Sequence, residues 1–251
     1  MRRENNGDKV VNREKVEIKH VSRRRFMIET GAGTAALATL AALGLPSVAG
    51  AKPKIEFIRT SCGEQGKGAK KVLVAYDSEC GSTGGVAKAI AEEFCAMGAS
   101  ADVKLAGEVG DISQYGAVVV GAAIRSFKWL ADARSFVADN ETLLSKLPVA
   151  YFMTCIQIVE GQPAMGKGAS KNETPEQKRA RMLAYMDKVL EKSPSVKPVD
   201  IGVFGGALDF DKLTSIERRM MKSMKFHAGD FRDFDKIRQW ARDIAPKLLK
   251  A

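Results

Sequence analysis

The amino-acid sequence predicts an α/β fold, a three-layer sandwich built on a five-stranded parallel sheet. From Lys71 onward, apolar runs of strand length alternate with segments whose apolar residues recur at helical spacing, and this alternation is typical of a parallel sheet covered by helices. Residues 117–120 are continuously apolar, as expected of a central strand that is buried on both faces. The 45% apolar and 28% charged contents are ordinary for a globular protein.

Each predicted element has its own stretch of sequence. Five strands are predicted at residues 72–76, 101–105, 117–120, 149–155 and 201–204. Helices are predicted directly after the first strand and at residues 130–146, 213–226 and 235–249, because apolar residues recur there at helical spacing. An extra helical insertion, residues 157–198, precedes strand five and contains a charged helix that starts at Thr174. Residues 52–70 are predicted to be a linker with a short strand at residues 55–58, which leaves residues 71–251 as the folded domain.

The first 51 residues differ in composition from the rest and are predicted to be an export signal. The run Ser-Arg-Arg-Arg-Phe-Met at residues 22–27, with Arg23 and Arg24 as the pair, resembles the twin-arginine motif. A weakly apolar run at residues 31–45 and the small residues Ala-Gly-Ala at 49–51 follow in the order that a cleaved signal requires. We therefore expect passage through the twin-arginine machinery to the periplasm or the outer face of the cytoplasmic membrane. Retention of the uncleaved signal as an anchor is the alternative.

The net charge limits the kinds of partner that the sequence predicts, and the cysteines bear on metal sites and disulfides. The chain carries a formal charge of +10, and residues 52–251 still hold six more basic than acidic side chains. This surplus favours an anionic membrane surface or an acidic partner, whereas no run has the pattern of a nucleic-acid-binding motif. The four cysteines form no Cys-x-x-Cys pair, so no metal site is predicted. We expect all four to be free thiols, with Cys95 buried on a helix.

The stretch between the first strand and the first helix predicts a phosphate site. A phosphate there would lie at a helix N-terminus, where free backbone N–H groups and the helix dipole favour an anion. Glycine allows close backbone approach, hydroxyls add donors, and the loop contains no basic residue, which suits a monophosphate such as FMN. A plain turn that caps the helix is the alternative. The predicted site residues are Ser78, Glu79, Cys80, Gly81, Ser82 and Thr83.

Two further loops are predicted to complete the site, because ligands of open α/β sheets bind at the carboxyl ends of the strands. After strand three, small residues would let a flavin ring lie against the backbone, and Phe127 or Trp129 could stack on it; Trp129 could equally be core packing. After strand four, Thr154 and Cys155 begin the other loop. The residues predicted in the first of these loops are Ala122, Ala123, Ile124 and Arg125.

The phosphate loop resembles the flavodoxin motif Ser/Thr-x-Thr-Gly-x-Thr through Ser78, Gly81 and Thr83, with Cys80 in place of a threonine. The segment at 121–125, the insertion and the Gly-Gly-Ala-Leu run at 205–208 together resemble the menaquinone-dependent protoporphyrinogen dehydrogenase family. This resemblance implies a flavodoxin-like three-layer sandwich whose FMN oxidises a porphyrinogen and passes electrons to a quinone. It assigns no catalytic residue. Arg125 is a candidate to bind a substrate carboxylate or flavin carbonyl, with a structural ion pair as the alternative.

Export departs from that family, since haem synthesis is cytoplasmic. The second hypothesis is therefore an exported flavodoxin-like electron-transfer protein without a small-molecule substrate, which passes electrons to a redox partner protein.

The predicted helix from Leu213 to Phe226 indicates a further partner, a membrane surface. Ile216, Met220 and Met224 recur every four residues among Arg and Lys residues, which predicts peripheral binding to an anionic bilayer. Packing of the methionines on the sheet is the alternative.

Overall fold

The computed structural model describes residues 54–64 and 70–250, and the predicted export signal lies outside the described residues. The strands are β1 Thr60–Cys62, β2 Lys71–Asp77, β3 Ser100–Leu105, β4 Ala117–Arg125, β5 Lys128–Trp129, β6 Val149–Thr154, β7 Pro198–Phe204, β8 Ala207–Leu208 and β9 Gly229–Asp230. The α-helices are α1 Ser82–Ala96, α2 Ala131–Asp139, α3 Glu141–Leu144, α4 Pro175–Leu183, α5 Asp187–Lys192, α6 Ser215–Ser223 and α7 Phe234–Leu249. Short 3₁₀ turns lie at Ala106–Glu108, Ile156–Ile158, Ala184–Met186 and Phe210–Lys212.

The five predicted strands form a parallel sheet in the order β3-β2-β4-β6-β7. Strand β1 extends this sheet by pairing antiparallel with β3, and β5 folds back antiparallel on the end of β4. Strand order reverses beside β2, and in open α/β sheets a ligand binds at such a switch point, outside the carboxyl ends of the strands. The topology therefore places the loops after β2 and β4 next to each other.

Alternating residues of the strands divide the core into two halves. In β2, Val72 and Val74 face helices α1 and α7, whereas Leu73 and Ala75 face α2, α3 and the insertion. All four side chains are fully buried, and so are those of Val118, Val119 and Val120 in β4. Burial on both faces explains why these strands are continuously apolar.

Two predicted elements differ in detail. The helix predicted at residues 130–146 is two helices, because the chain leaves helical geometry at Asn140, whose side-chain amide donates to the Phe136 carbonyl. The predicted strand at residues 55–58 is wrong, since the strand of this segment is β1, Thr60–Cys62. The charged helix of the insertion begins as predicted at Thr174, whose hydroxyl and Gln177 form a capping box.

The insertion is held by a buried arginine. Arg181 forms two hydrogen bonds of 2.8 Å with the Glu173 carboxylate and also donates to the Gln157 side chain and the Met165 carbonyl. Only 8% of Arg181 is exposed, and a buried charge is tolerated when it is paired and hydrogen-bonded. The arginine thus fastens α4 to the loop after β6.

The prediction of four free thiols was wrong, because Cys62 and Cys95 form a disulfide. Cys62 ends the edge strand β1, and Cys95 lies in the last turn of α1, half-buried rather than fully buried. The pairing arises from the antiparallel contact of β1 with β3, which the spacing of cysteines does not reveal. Among the described residues, Cys80 and Cys155 remain free.

No helix in the described ranges is long and apolar enough to cross a membrane.

Candidate functional site

The loop between β2 and α1 leaves the start of the helix open. Gly81 precedes α1 in the left-handed conformation, with φ 85°, and within the described chain no side chain caps the helix there. The Ser78 hydroxyl accepts a 2.9 Å hydrogen bond from the Gly81 N–H, which curls the loop around this point. The first N–H groups of a helix have no partner within it, and the first turn of α1 holds no acidic residue. The loop therefore offers backbone donors to an anion.

A hydroxyl pair joins the first turn of α1 to the end of β6. Thr83 Oγ1 lies 3.0 Å from Thr154 Oγ1, and both residues are buried. Next to Thr154, burial raises the pKa of Cys155 to about 11, so its thiol is neutral at neutral pH. On the other side, the Asp77 carboxylate accepts from the Asp132 N–H at 2.9 Å and caps α2. The ends of β2 and β6 are thus fixed to the helices that surround the loop.

A cleft of about 460 Å³ opens at the carboxyl ends of the parallel strands. It brings together residues of all three predicted loops, and only Gly81, Thr83 and Ala122 of the predicted set do not line it. Thr83 and Ala122 are fully buried beneath it. The predicted residues that line the cleft are Ser78, Glu79, Cys80, Ser82, Ala123, Ile124, Arg125, Thr154 and Cys155.

Arg125 forms ion pairs with two carboxylates at this cleft. Its Nε lies 2.9 Å from Glu79 Oε2 in the phosphate loop, and its Nη2 lies 2.5 Å from Glu217 Oε1 in α6. Burial alone would raise the pKa of Glu217, but hydrogen bonds from Thr214 and the charge of Arg125 outweigh it and hold the pKa below its ordinary value. The structure shows the ion pair predicted as one alternative for Arg125, and binding of a flavin carbonyl or a substrate carboxylate stays a prediction.

The sequence matches the family model described as a flavodoxin domain over residues 73–235. The chain belongs to the flavodoxin-domain family. This assignment confirms the predicted fold and FMN as the predicted cofactor. The quinone-dependent protoporphyrinogen IX dehydrogenase of Escherichia coli K12 is 26% identical over 186 residues, covering 70% of this chain and 94% of the relative. The same enzyme of E. coli O157:H7 matches with the same identity and coverage.

Solved flavodoxins are similar at lower identity. Flavodoxin 1 of Bacillus cereus is 14% identical with a TM-score of 0.43, covering 71% of this chain and 99% of its own. A Fusobacterium nucleatum flavodoxin mutant bound to flavin mononucleotide is 11% identical with a TM-score of 0.38, covering 73% and 99%.

The aromatic residues of this flavodoxin domain divide between site and core. Trp129 is 1% exposed and packs edge-on against Tyr151, with ring centroids 5.4 Å apart, so the core-packing alternative holds for it. Phe127 lines the cleft and is 40% exposed. It adopts φ 60°, a conformation that is uncommon for a bulky residue. Phe127 is therefore the aromatic side chain that this loop offers to the cleft.

The far wall of the cleft was missed by sequence reasoning. It consists of the segment Gly206 to Asp209 after β7 together with Glu217 and the methionines of α6. The two glycines that follow the fifth strand were a usable signal, because this loop also leaves a carboxyl end of the sheet. For the methionines, the sequence predicted either a stripe facing a bilayer or packing on the sheet, and neither interpretation placed them in the cleft. The residues of α6 and its C-terminal end that line the cleft are Glu217, Met220, Met221 and Met224.

A basic residue also lies closer to the phosphate loop than the sequence indicated. Arg232 Nη1 donates to the Ser82 carbonyl at 3.1 Å, and the guanidinium is paired with Asp230. It reaches the first turn of α1 because Gly85 has no side chain; a Cβ there would lie 2.3 Å from Nη1. Glycine inside a helix lowers stability by roughly 1 kcal/mol relative to alanine. At position 85 the glycine leaves the space that the Arg232 guanidinium occupies.

The residues present fit FMN. The open start of α1 and the hydroxyl of Ser82 supply neutral donors for a phosphate, while Ile124, Phe127 and the α6 methionines supply an apolar wall for a flat ring system. Ligand clefts typically measure about 300–1,000 Å³, and this cleft of about 460 Å³ falls within that range. Burial raises the pKa of the Cys80 thiol, so the cysteine that replaces a threonine adds no charge.

Proposed function

We propose that this flavodoxin domain is an FMN-dependent oxidoreductase that takes electrons from a small organic substrate and passes them to a quinone or a similar acceptor. The observation that carries the proposal is the shape of the cleft, which continues from the phosphate loop to an apolar wall formed by α6. A protein that only exposes a flavin edge to another protein does not need that wall. The similarity to quinone-dependent protoporphyrinogen IX dehydrogenases supports the same class of reaction.

When bound, FMN supplies the redox chemistry, and the protein supplies position and electrostatics. The N–H groups of Ser82 and Thr83 would hold the phosphate at the start of α1. Ala123 and Ile124, at the end of β4, would leave room for the flavin ring, with Phe127 beside it. The neutral Cys155 thiol and the fully buried strands beneath would exclude water from that side.

We further propose that the protein acts outside the cytoplasm. The Arg23-Arg24 motif with its apolar run is the primary support. The Cys62–Cys95 disulfide agrees with it, since disulfides persist in oxidising compartments such as the periplasm and are rare in the cytosol. The twin-arginine route would export the domain folded around its FMN.

Helix α6 supports peripheral membrane binding through a narrower surface than the sequence indicated. Ile216 is 79% exposed and Met220 is 50% exposed, whereas Met221 and Met224 pack inward against Leu208 and Leu213. Arg219 and Lys222 of the same helix are exposed as well. Basic and apolar side chains together favour the surface of an anionic bilayer.

The decisive experiment is spectroscopic. Purified full-length protein should show the visible absorption of an oxidised flavin, and denaturation should release FMN rather than FAD or riboflavin. Under anaerobic conditions, a porphyrinogen should bleach that absorption and a soluble quinone should restore it. Absence of flavin would contradict the proposal. Flavin that only a reduced redox protein can bleach would instead establish the electron-transfer alternative.

A further inference from the structure

Helix α6 is tied to other parts of the domain by polar contacts at both of its ends. Beyond its C-terminal end, the Gln162 side chain donates to the His227 carbonyl at 2.8 Å and accepts from the His227 N–H at 3.1 Å. At its N-terminal end, Glu217 pairs with Arg125. Between these ties, α6 rests on methionine side chains. Polar contacts therefore hold both ends of α6 in place over the cleft.

The N-terminal fastening depends on one carboxylate with two roles. Glu217 Oε2 accepts from the N–H and the hydroxyl of Thr214, at 2.9 and 2.8 Å, and completes the capping box of α6. Its other oxygen, Oε1, accepts from Arg125 Nη2. The same carboxylate therefore contacts both Arg125 and the first turn of α6, so loss of Arg125 would affect the position of that turn.

The second arm of Arg125 reaches the phosphate loop through Glu79. One guanidinium stands between two carboxylates, and without it Glu79 and Glu217 would repel each other across the cleft. Arg125 and Glu217 are each 32% exposed at the side chain and Glu79 is 44% exposed, so solvent screens the bridge only in part.

We propose that Arg125 is a positioning residue that keeps α6 closed over the FMN cleft by bridging Glu79 and Glu217, and that this bridge sets the rate at which FMN leaves. The inference rests on the proposed FMN binding. It assigns Arg125 to the lid of the cleft rather than to direct contact with the flavin or the substrate.

The test compares FMN dissociation from full-length Arg125→Gln, Glu217→Gln and the double variant. The Glu217→Gln substitution retains the capping box, because glutamine also serves at that position of the motif, and removes the charge. Each single variant should release FMN roughly two- to tenfold faster, as expected for one partly exposed charge-assisted pair. The double variant should release FMN no faster than Arg125→Gln, because removal of Arg125 already breaks the contact with Glu217. Arg242→Gln, which removes an arginine from the distant pair with Glu93, should leave the rate unchanged.

Hydrogen exchange on the FMN-free protein supplies an independent readout. Amides of α6 should exchange faster in Arg125→Gln and Glu217→Gln than in the wild type or Arg242→Gln. If Arg125→Gln weakens FMN binding while Glu217→Gln does not, and α6 exchange is unchanged, Arg125 contacts FMN directly and the inference is overturned. Additive effects in the double variant would also overturn it. If wild-type protein binds no FMN, the proposed function fails, and unchanged α6 exchange would separately refute the bridge.

Discussion

Removal of the disulfide between Cys62 and Cys95 tests how the edge of the sheet is held. The bond joins residues 33 apart in sequence and closes a loop that contains β2, the phosphate loop and most of α1. In the chain-entropy account, a loop of this length stabilises the fold by roughly 3–4 kcal/mol. For a domain of this size that corresponds to about 6–16 °C in Tm. Cys62→Ser and Cys95→Ser should each lose this amount, and the double variant should lose no more.

The assay is equilibrium unfolding in urea, followed by circular dichroism with and without reductant. Reductant should shift the wild-type midpoint and leave Cys62→Ser unaffected, and Cys80→Ser serves as the matched control because Cys80 is a free thiol. Thiol titration of the unfolded, unreduced protein should find two reactive cysteines. Four reactive cysteines, or equal midpoints with and without reductant, would refute the reasoning.

The same variants bear on the cofactor site, because the segment before β1 reaches the phosphate loop. A Cβ at Gly81 would lie 2.9 Å from the Glu56 carbonyl oxygen, so this segment packs directly against the loop. The Tyr76 hydroxyl donates to the Ile58 carbonyl at 2.9 Å and would hold part of the segment without the disulfide. We therefore expect FMN affinity to fall less than global stability.

Three further predictions concern acid stability, export and membranes. Burial would raise the pKa of Asp102, but hydrogen bonds from Ser61, Tyr115 and Lys71 hold this pKa below its ordinary value. The ionised Asp102 carboxylate therefore stabilises the fold above about pH 4, and this stabilisation is lost as the pH falls through the lower pKa of the folded state. Asp102→Asn should cost about 1–3 kcal/mol at pH 7 and flatten the acid limb of a pH series of urea midpoints. Replacement of Arg23 and Arg24 by Lys should leave flavin-loaded protein in the cytoplasm by cell fractionation, and normal export would contradict the motif. Full-length protein should sediment with anionic vesicles at low salt, and Arg219→Gln with Lys222→Gln should weaken this binding; binding that is unchanged by salt would contradict the electrostatic account.

How far the sequence predicted the fold depends on the range of the interactions involved. The central strands β2, β4 and β6 were predictable because burial on both faces requires apolar residues at consecutive positions, as in Val118, Val119 and Val120. The loop between β2 and α1 could be singled out because its glycine and hydroxyl side chains lie in one contiguous stretch, and phosphate binding there stays a prediction. The disulfide was not predictable, since it depends on a three-residue edge strand that pairs with β3. The position of Arg232 beside α1 was not predictable either, because 150 residues separate it from its Ser82 partner.

The apolar residues of α6 show why a repeat of four residues does not define a single face of a helix. At about 3.6 residues per turn, a repeat of four residues turns by about 40° at each step, so Ile216, Met220 and Met224 spread over about 80° of the helix. The inward direction follows Met224 and Met221, and Glu217 lies between Met220 and Met221 in this projection. A carboxylate in that position requires a partner, and Arg125 supplies it.

This geometry predicts unequal effects for apolar residues of the same helix. Met224→Ala removes a side chain that packs against the Leu208 and Leu213 cluster, so it should destabilise the fold by about 1–2 kcal/mol, less than a fully buried methionine because Met224 is half-buried. Ile216→Ala removes a side chain that is 79% exposed and should stay within about 0.5 kcal/mol of the wild type. Urea unfolding of the two variants side by side measures the difference. Equal losses, or a greater loss for Ile216→Ala, would mean that α6 is rotated from the orientation that places Glu217 beside Arg125.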